Sequence, residues 1–467
     1  MSTSRPSLLR QLGVVSATAL VVSNMIGTGI FTTSGFLAGD LGSPKLVLWI
    51  WVVGAIVALC GAFCYSELGV NMPSSGGEYV YLTQAFGPTW GFMTGWVSFF
   101  AGFSAPIAAG ALAFADYLGH FFPALHEEHA HVLLGSGDWP LSFGAAQMVA
   151  CALIAVFTII NIFGVMRVAR LQNVLTGAKI LVLVAFIAMA FTMGNGEWGN
   201  FSLNAVRTAK TSLSAQFAIS LFWIYFAYSG WNAATYVAEE LRQPARTLPL
   251  ALTVGTVLVG ALYVALNVVF IYAAPLEVMK GELAVGALAA SRLFGPQVAD
   301  MFSALLALSL MSMVNAMVTI GPRVYYAMAK NKAFLSAAAK VHPKYHTPVA
   351  AIVAQGVCAM LLTMTPFPQL VQYIGFTLNF FAVMSVVSLM MFRRRTGWQK
   401  LGVVSFAYPL VPVVFLIVGL WMTVMGLQLK PWISLAAVVT LTTGALFYHY
   451  GLRTRAHQAE TPTIETY

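Results

Sequence analysis

Apolar runs of 20 or more residues recur along almost the whole chain, and they decide the solvent in which it folds. A run of that length, wound as a helix, crosses a hydrocarbon core about 30 Å thick. Only 8% of the 467 residues are charged, whereas a soluble protein carries roughly 25%, so water is not the solvent for most of this surface. Counting the runs predicts twelve spans, near 11–38, 44–70, 89–119, 143–163, 169–193, 211–238, 249–273, 297–328, 349–365, 368–392, 403–426 and 431–450. The expectation is an all-α integral membrane protein with one domain over 1–450 and a polar, disordered tail over 451–467. The stretch MSTSRPSLLR leads straight into the first run, and no removable signal peptide is expected.

Sorting cations by loop gives the direction of the chain. With the N-terminus inside, 17 of the 24 Lys and Arg residues fall on the cytoplasmic side and six outside, which leaves Lys179 over. The positive-inside rule therefore predicts that both termini are cytoplasmic. The net charge of +9 then reads as anchoring at an anionic lipid leaflet, not as nucleic-acid binding. Cys60, Cys64, Cys151 and Cys358 all lie in apolar segments, where packing as small hydrophobes is expected.

Two runs carry residues that suit a helix badly. Gly27, Thr28 and Gly29 sit near the middle of the first, and Phe226-Ala227-Tyr228-Ser229-Gly230-Trp231-Asn232 sits in the middle of the sixth. Gly27, Gly29 and Gly230 are the expected helix breaks. Backbone that loses its partners at membrane depth is tolerated only where it lines a cavity. Small residues also serve close helix crossings, but matching interruptions in spans one and six, at corresponding places in two five-span halves, point to a transporter's midplane site. A broken helix offers free N–H groups to a carboxylate at one end and free carbonyls to an ammonium at the other. A ligand with both groups a few Å apart is an α-amino acid.

Lys179 stands nine residues beyond Arg170, about 13 Å along a helix, too deep for its ammonium to reach the surface comfortably. An ionisable group at such depth is a functional-site candidate. The remaining chemistry-bearing residues read as peripheral. Glu67 and Glu78 flank the second loop, and Glu239 and Glu240 close span six. Solvated or gate-type salt bridges are expected for all four, with Arg170 or Arg242 as partners of the last two. His120, His126, His129 and His131, with Glu127 and Glu128, have metal-ligand chemistry, but a solvated outer loop and no metal are expected. Gln147 and Asn161 are candidates for interhelical hydrogen bonds. With no carboxylate near either break in the sequence, a cationic side chain would lack a counter-ion, which favours neutral substrates.

At the breaks the chain resembles a known family, the amino acid–polyamine–organocation (APC) transporters, and within it the L-type amino acid transporter (LAT) group. The resemblance runs through SNMIGTGIF, MPSSGGEYVYLTQAFGP (72–88), FAYSGWNAATYVAEELRQPARTLPLAL (226–252) and GPRVYYAMAKNKAF (321–334). It implies the fold of the bacterial leucine transporter. That is a 5+5 inverted repeat (11–193 and 211–392) with discontinuous helices 1 and 6, followed by two accessory helices over 403–450. It also implies a site in which the N–H groups of Thr28 and Gly29 receive the substrate carboxylate, and the carbonyls of Met25, Phe226 and Ser229 receive the amine. Phe226 resembles an aromatic gate, and Asn232 and Asn379 match family positions near the substrate. Where many LAT members read Tyr-Gly-Gly-Trp, this chain has Tyr228-Ser229-Gly230-Trp231, so its side-chain preference is open. By the same resemblance Lys179 replaces the sodium ion that related carriers place between spans one and eight.

The expected function is sodium-independent transport of neutral L-amino acids by 1:1 exchange, with proton-coupled symport as the alternative. Nucleophile–base pairs, HExxH and GxxxxGK[ST] motifs are missing, which speaks against an enzyme or an ATP-driven pump. No cofactor is implied. The outer loop Gly119–Pro140 has no cysteine, so no disulfide-linked heavy chain of the animal LAT kind is expected. A prokaryotic inner membrane is the expected location.

Overall fold

A computed structural model describes residues 10–452 apart from 75, 120, 126–129, 135–140, 164, 332 and 335, and it leaves out the side chains of 165–171, 299, 451 and 452. His120, His126, Glu127, Glu128, His129, the Arg170 side chain and the tail from Arg453 onward lie outside the described residues.

The first apolar run forms two helices, α1 (Val14–Met25) and α2 (Thr28–Leu41). Next come α3 (Pro44–Asn71) and the short α4 (Glu78–Phe86). The third run is α5 (Pro88–Val97), a π-helical stretch Ser98–Ser104, and α6 (Ala105–Gly119). Proline at the first turn of α3 and α5 costs no hydrogen bond, because N–H groups there are unpaired anyway. A small antiparallel hairpin, β1 (His131–Leu134) and β2 (Leu141–Phe143), sets His131 opposite Phe143 ahead of α7 (Ala145–Ile162) and α8 (Val165–Thr192). The sixth run is α9 (Leu213–Tyr228) and, past a break, a 3₁₀ segment Ala233–Glu240. It is followed by α10 (Pro244–Ala273), the short α11 (Leu276–Met279) and α12 (Val285–Phe294), and the long α13 (Pro296–Lys330). The chain ends with α14 (Val349–Leu362), α15 (Phe367–Phe392), α16 (Gly402–Ser405), α17 (Leu410–Leu429) and α18 (Pro431–Phe447).

Among the described residues, ten helices are long and apolar enough to cross a membrane, counting α1 with α2 and α5 with α6 as one each. The two expected spans outside that count are α9, cut at 16 residues by its break, and α14, with 14 residues. One boundary needs correction. The run expected at 403–426 is α17 at Leu410–Leu429, with α16 separate, because Pro409 cannot carry a helix through from Ser405. The sequence reading also missed α4 and α12, whose apolar faces are too short to stand out as runs.

Helices α1, α2, α6, α10 and α13 form the interior. The outer helices expose large apolar side chains, such as Leu181 at 70%, Ile417 at 63% and Trp432 at 66%. Such surfaces suit lipid contact, whereas a soluble monomer rarely keeps large contiguous ones.

Two buried ion pairs tie helix ends together. Arg393 meets both oxygens of Glu67 at 2.7 Å, and the same carboxylate accepts the Trp398 indole N–H at 2.8 Å and the Leu401 N–H at 2.9 Å. Glu240 pairs with Arg323 at 3.3 Å and, among the described residues, not with Arg242; the Arg170 side chain expected as the other partner lies outside them. The reason is reach: Arg323, near the end of α13, packs directly beneath the 3₁₀ segment. Neither Glu67 nor Glu240 is solvated.

Candidate functional site

The break in the first run falls at Ile26 and Gly27, one to two residues ahead of where three small residues would centre it. Thr28 already starts α2, so Gly29 is a helical residue and not a breaking one. Its lack of a Cβ serves packing instead, since a methyl there would overlap Ala227. Among the described residues the Thr28 and Gly29 N–H groups have no carbonyl partner one turn back, as at any helix start.

The second break is sharper. Ser229 is extended and Gly230 has φ of +100°, a region that L side chains rarely enter. A Cβ on Gly230 would lie 2.7 Å from the Cβ of Asn24. The two interrupted segments thus face each other at Gly230 against Asn24 and at Gly29 against Ala227.

Four of the carbonyls at the breaks have protein partners. Lys179, fully buried, donates from Nζ to Ile26 O at 2.6 Å. The Tyr263 hydroxyl lies 2.5 Å from Met25 O and 3.0 Å from Ala227 O, so a single side chain on α10 spans both interrupted helices. Phe226 O accepts from the Ser229 N–H at 3.0 Å and from its hydroxyl at 2.7 Å. Two of the three carbonyls expected to receive a substrate amine, Met25 and Phe226, are therefore occupied in this conformation. Tyr263 carried no signal in the sequence, being one aromatic residue in an apolar run.

Below Lys179 a polar network joins four helices. Ser23 on α1 and Ser312 on α13 are 2.7 Å apart, and Gln172 on α8 donates to both. Asn315 donates to Gln172 and accepts from Asn161, which in turn accepts from Thr319. Asn161 makes the interhelical bonds expected of it. Gln147 does not: among the described residues both of its amide atoms are buried without a partner.

A pocket of about 530 Å³, part of it open to solvent, lies beside the breaks, between the residues just before the first and those through the second. Asn24, Glu78, Ser98, Ser229, Gly230, Asn232 and Tyr236 line it together with the apolar Phe103, Trp231, Met317, Ile320 and Leu378. The π-helical stretch contributes Ser98, Gly102 and Phe103, and such irregular turns often mark functional sites.

Three expectations change here. Glu78 is not at a solvated surface: the chain folds back after Asn71, so its carboxylate is buried beneath Asn232 and accepts from the Tyr65 hydroxyl at 2.6 Å and the Asn232 amide at 3.2 Å. A carboxylate does lie at the site, against the premise used above to favour neutral substrates. Asn379 is not brought to the pocket. Its amide ties α15 to α17 through Gly419 O at 2.8 Å and the Thr423 hydroxyl at 3.0 Å, and its neighbour Leu378 lines the cavity. Phe226 packs edge-on against Phe367 and does not line the pocket, whereas Tyr225 does. Among the described residues no cluster of His, Cys, Asp and Glu is fit to hold a metal ion.

The amino acid permease family model matches residues 12–445 of this chain. The serine/threonine exchanger SteT of Bacillus subtilis is 27% identical over 460 residues, covering 97% of this chain and 99% of its own length. The human large neutral amino acids transporter small subunit 2 is 29% identical over 454 residues, covering 96% of this chain and 81% of its own. The mouse b(0,+)-type amino acid transporter 1 is 28% identical over 450 residues, covering 95% and 88%. This chain belongs to the amino acid permease family of APC transporters and resembles its LAT group. It is an integral, multi-pass membrane protein of a family of amino acid transporters, not of enzymes.

Proposed function

We propose that this amino acid permease carries neutral L-amino acids across a plasma (inner) membrane by sodium-independent 1:1 exchange. The mechanism is alternating access around the two interrupted helices. In this reading the ten helices and the two shorter runs make twelve spans, arranged as a 5+5 inverted repeat with two accessory helices. Both termini are cytoplasmic, as the distribution of cations favours.

The observation that carries the reading is the Lys179 ammonium on Ile26 O. It supplies a hydrogen-bond donor to the broken end of α1, where a helix C-terminus favours positive charge. Thr28 and Gly29 present the free N–H groups for a substrate carboxylate. Ser229 and Asn232, at the other break, face the pocket that receives the rest of the molecule. Met25 and Phe226 join the amine site only after Tyr263 and Ser229 release their carbonyls, so substrate binding and the shape of the breaks are linked. The mostly apolar pocket and the printed names of the relatives, a serine/threonine exchanger and a large neutral amino acids transporter among them, support neutral substrates. With no cysteine between Gly119 and Pro140, no disulfide-linked heavy chain is required.

The test is uptake of labelled L-alanine, L-serine and L-leucine into proteoliposomes, preloaded or empty, with and without sodium, at two external pH values. Uptake only after preloading, indifferent to sodium, is the expected result. Accumulation in empty vesicles driven by acid outside would instead establish proton symport, a reading favoured by the buried ionisable groups Lys179 and Glu78.

A further inference from the structure

Three polar groups on one wall of the pocket have already used their hydrogen-bond donors. Asn232 gives one amide hydrogen to Glu78 Oε1 at 3.2 Å and the other to the Tyr236 hydroxyl at 3.0 Å. Tyr236 in turn bonds to Glu78, which closes a triangle. Ser229 gives its hydroxyl hydrogen to Phe226 O at 2.7 Å. An amide has two donor hydrogens and a hydroxyl has one. What remains to face the cavity is therefore the Asn232 Oδ1 and the lone pairs of Ser229 Oγ, all acceptors.

Glu78 fixes this polarity. Its Oε1 accepts from both the Tyr65 hydroxyl at 2.6 Å and the Asn232 amide at 3.2 Å, so the Asn232 nitrogen turns inward and its oxygen away. Among the described residues the titratable neighbours of Glu78 are tyrosines: Tyr65 on α3, Tyr81 on α4 itself, Tyr225 on α9 and Tyr236 on the 3₁₀ segment. The helices packed on α4, α5 and α15, place no charged side chain against the carboxylate among the described residues.

We infer that Glu78 is a specificity-determining residue that, by orienting Asn232, makes this wall an acceptor surface selecting amino acids whose side chains carry a hydrogen-bond donor. The inference rests on the reading above, in which the α-carboxylate and α-amine are held at the breaks and the side chain enters the pocket. An apolar side chain of the same shape leaves these acceptors without a partner from the substrate, which a site built to bond a side-chain donor penalises. Glu78 is a positioning residue here: it acts through Asn232.

The discriminating pair is L-threonine and L-valine, which share a shape and differ in one hydroxyl. In proteoliposomes of the full chain, each is measured as an unlabelled competitor of labelled L-alanine exchange. L-threonine is expected to compete about tenfold better than L-valine. L-ornithine competing as well as L-threonine would show that a side-chain ammonium also satisfies the wall, in support of the inference. Glu78→Gln brings its own amide hydrogens, lets Asn232 turn over, and is expected to pull the threonine-to-valine ratio towards one. Tyr236→Phe removes the acceptor of the second Asn232 hydrogen, is expected to do the same, and serves if the Glu78 variant does not fold. A ratio near one in the unaltered chain would overturn the inference, because acceptors serving only the α-ammonium cannot tell the two apart. An unchanged ratio in both variants would overturn it as well. No exchange of any amino acid by the folded chain would instead overturn the transport reading, and this inference with it.

Discussion

The Nζ of Lys179 lies 2.6 Å from the carbonyl oxygen of Ile26, the residue at which the first apolar helix stops. The bond joins α8 to a backbone group that a continuous helix would have paired internally. A charge-assisted hydrogen bond of this kind contributes about 1.5–3 kcal/mol, and a buried carbonyl left without it costs about 1–3 kcal/mol.

Lys179→Ala is therefore expected to lower exchange at least tenfold, with no recovery on adding sodium. Lys179→Met, which fills the same space without charge, should behave alike, and so separates charge from packing. Exchange would be followed in proteoliposomes, with elution as a single folded species as the control. Full activity in both variants would remove Lys179 from the mechanism.

Tyr263 stands between Met25 O and Ala227 O, one carbonyl from each interrupted helix. Its ring is packed against Trp51 and Tyr228, which hold the hydroxyl in place. Tyr263→Phe keeps the ring and deletes the bridge. The expected outcome is a lower melting temperature, from about 1–3 kcal/mol lost at two buried acceptors, together with a change in KM for amino acid exchange. A drop in stability with KM untouched would make Tyr263 a structural tie only.

The two breaks and the buried lysine were legible because each breaks a local rule: glycines and polar residues inside an apolar run, and a charge nine residues from the nearest cation. The partners were not legible. Glu78 sits in a glycine-rich loop sequence, and only the fold of the chain after Asn71 turns it beneath Asn232. Gly29 looked like Gly27, yet one caps the start of α2 and the other lets α2 meet Ala227. In the same way Tyr263, on an apolar helix, acquires its role from carbonyls 36 and 238 residues away. Such relationships arise between helices, and periodicity within one helix does not report them.

Gly230 and Gly177 offer a matched comparison. Gly230 has φ of +100° and no room for a Cβ beside Asn24, whereas Gly177 lies within α8 with nothing within 4 Å of its Cβ position. Gly230→Ala is expected to abolish exchange, since the strained backbone costs about 1–3 kcal/mol before any overlap is counted. Gly177→Ala should leave exchange intact and raise stability by about 0.5–1 kcal/mol. Thermal melting and exchange on both variants decide it, and equal behaviour would mean that the second break tolerates a side chain.

Asn232 and Asn379 looked alike in the sequence, each a polar residue in an apolar run matching a family position near the substrate. Their surroundings separate them. Asn232 lines the pocket with its amide held by Glu78 and Tyr236, while Asn379 spends its amide hydrogens on Gly419 O and Thr423 across the α15–α17 contact. Asn232→Ala is therefore expected to raise KM for exchange roughly tenfold, the effect of one lost hydrogen bond to a bound substrate. Asn379→Ala is expected to act on stability alone. It leaves Gly419 O without its Asn379 partner, lowers stability by about 1–3 kcal/mol, and leaves KM near its original value. Purified proteins would be compared by thermal melting and by KM for L-alanine exchange. If Asn379→Ala raised KM as much as Asn232→Ala, α15 would have to turn during transport and bring Asn379 to the substrate.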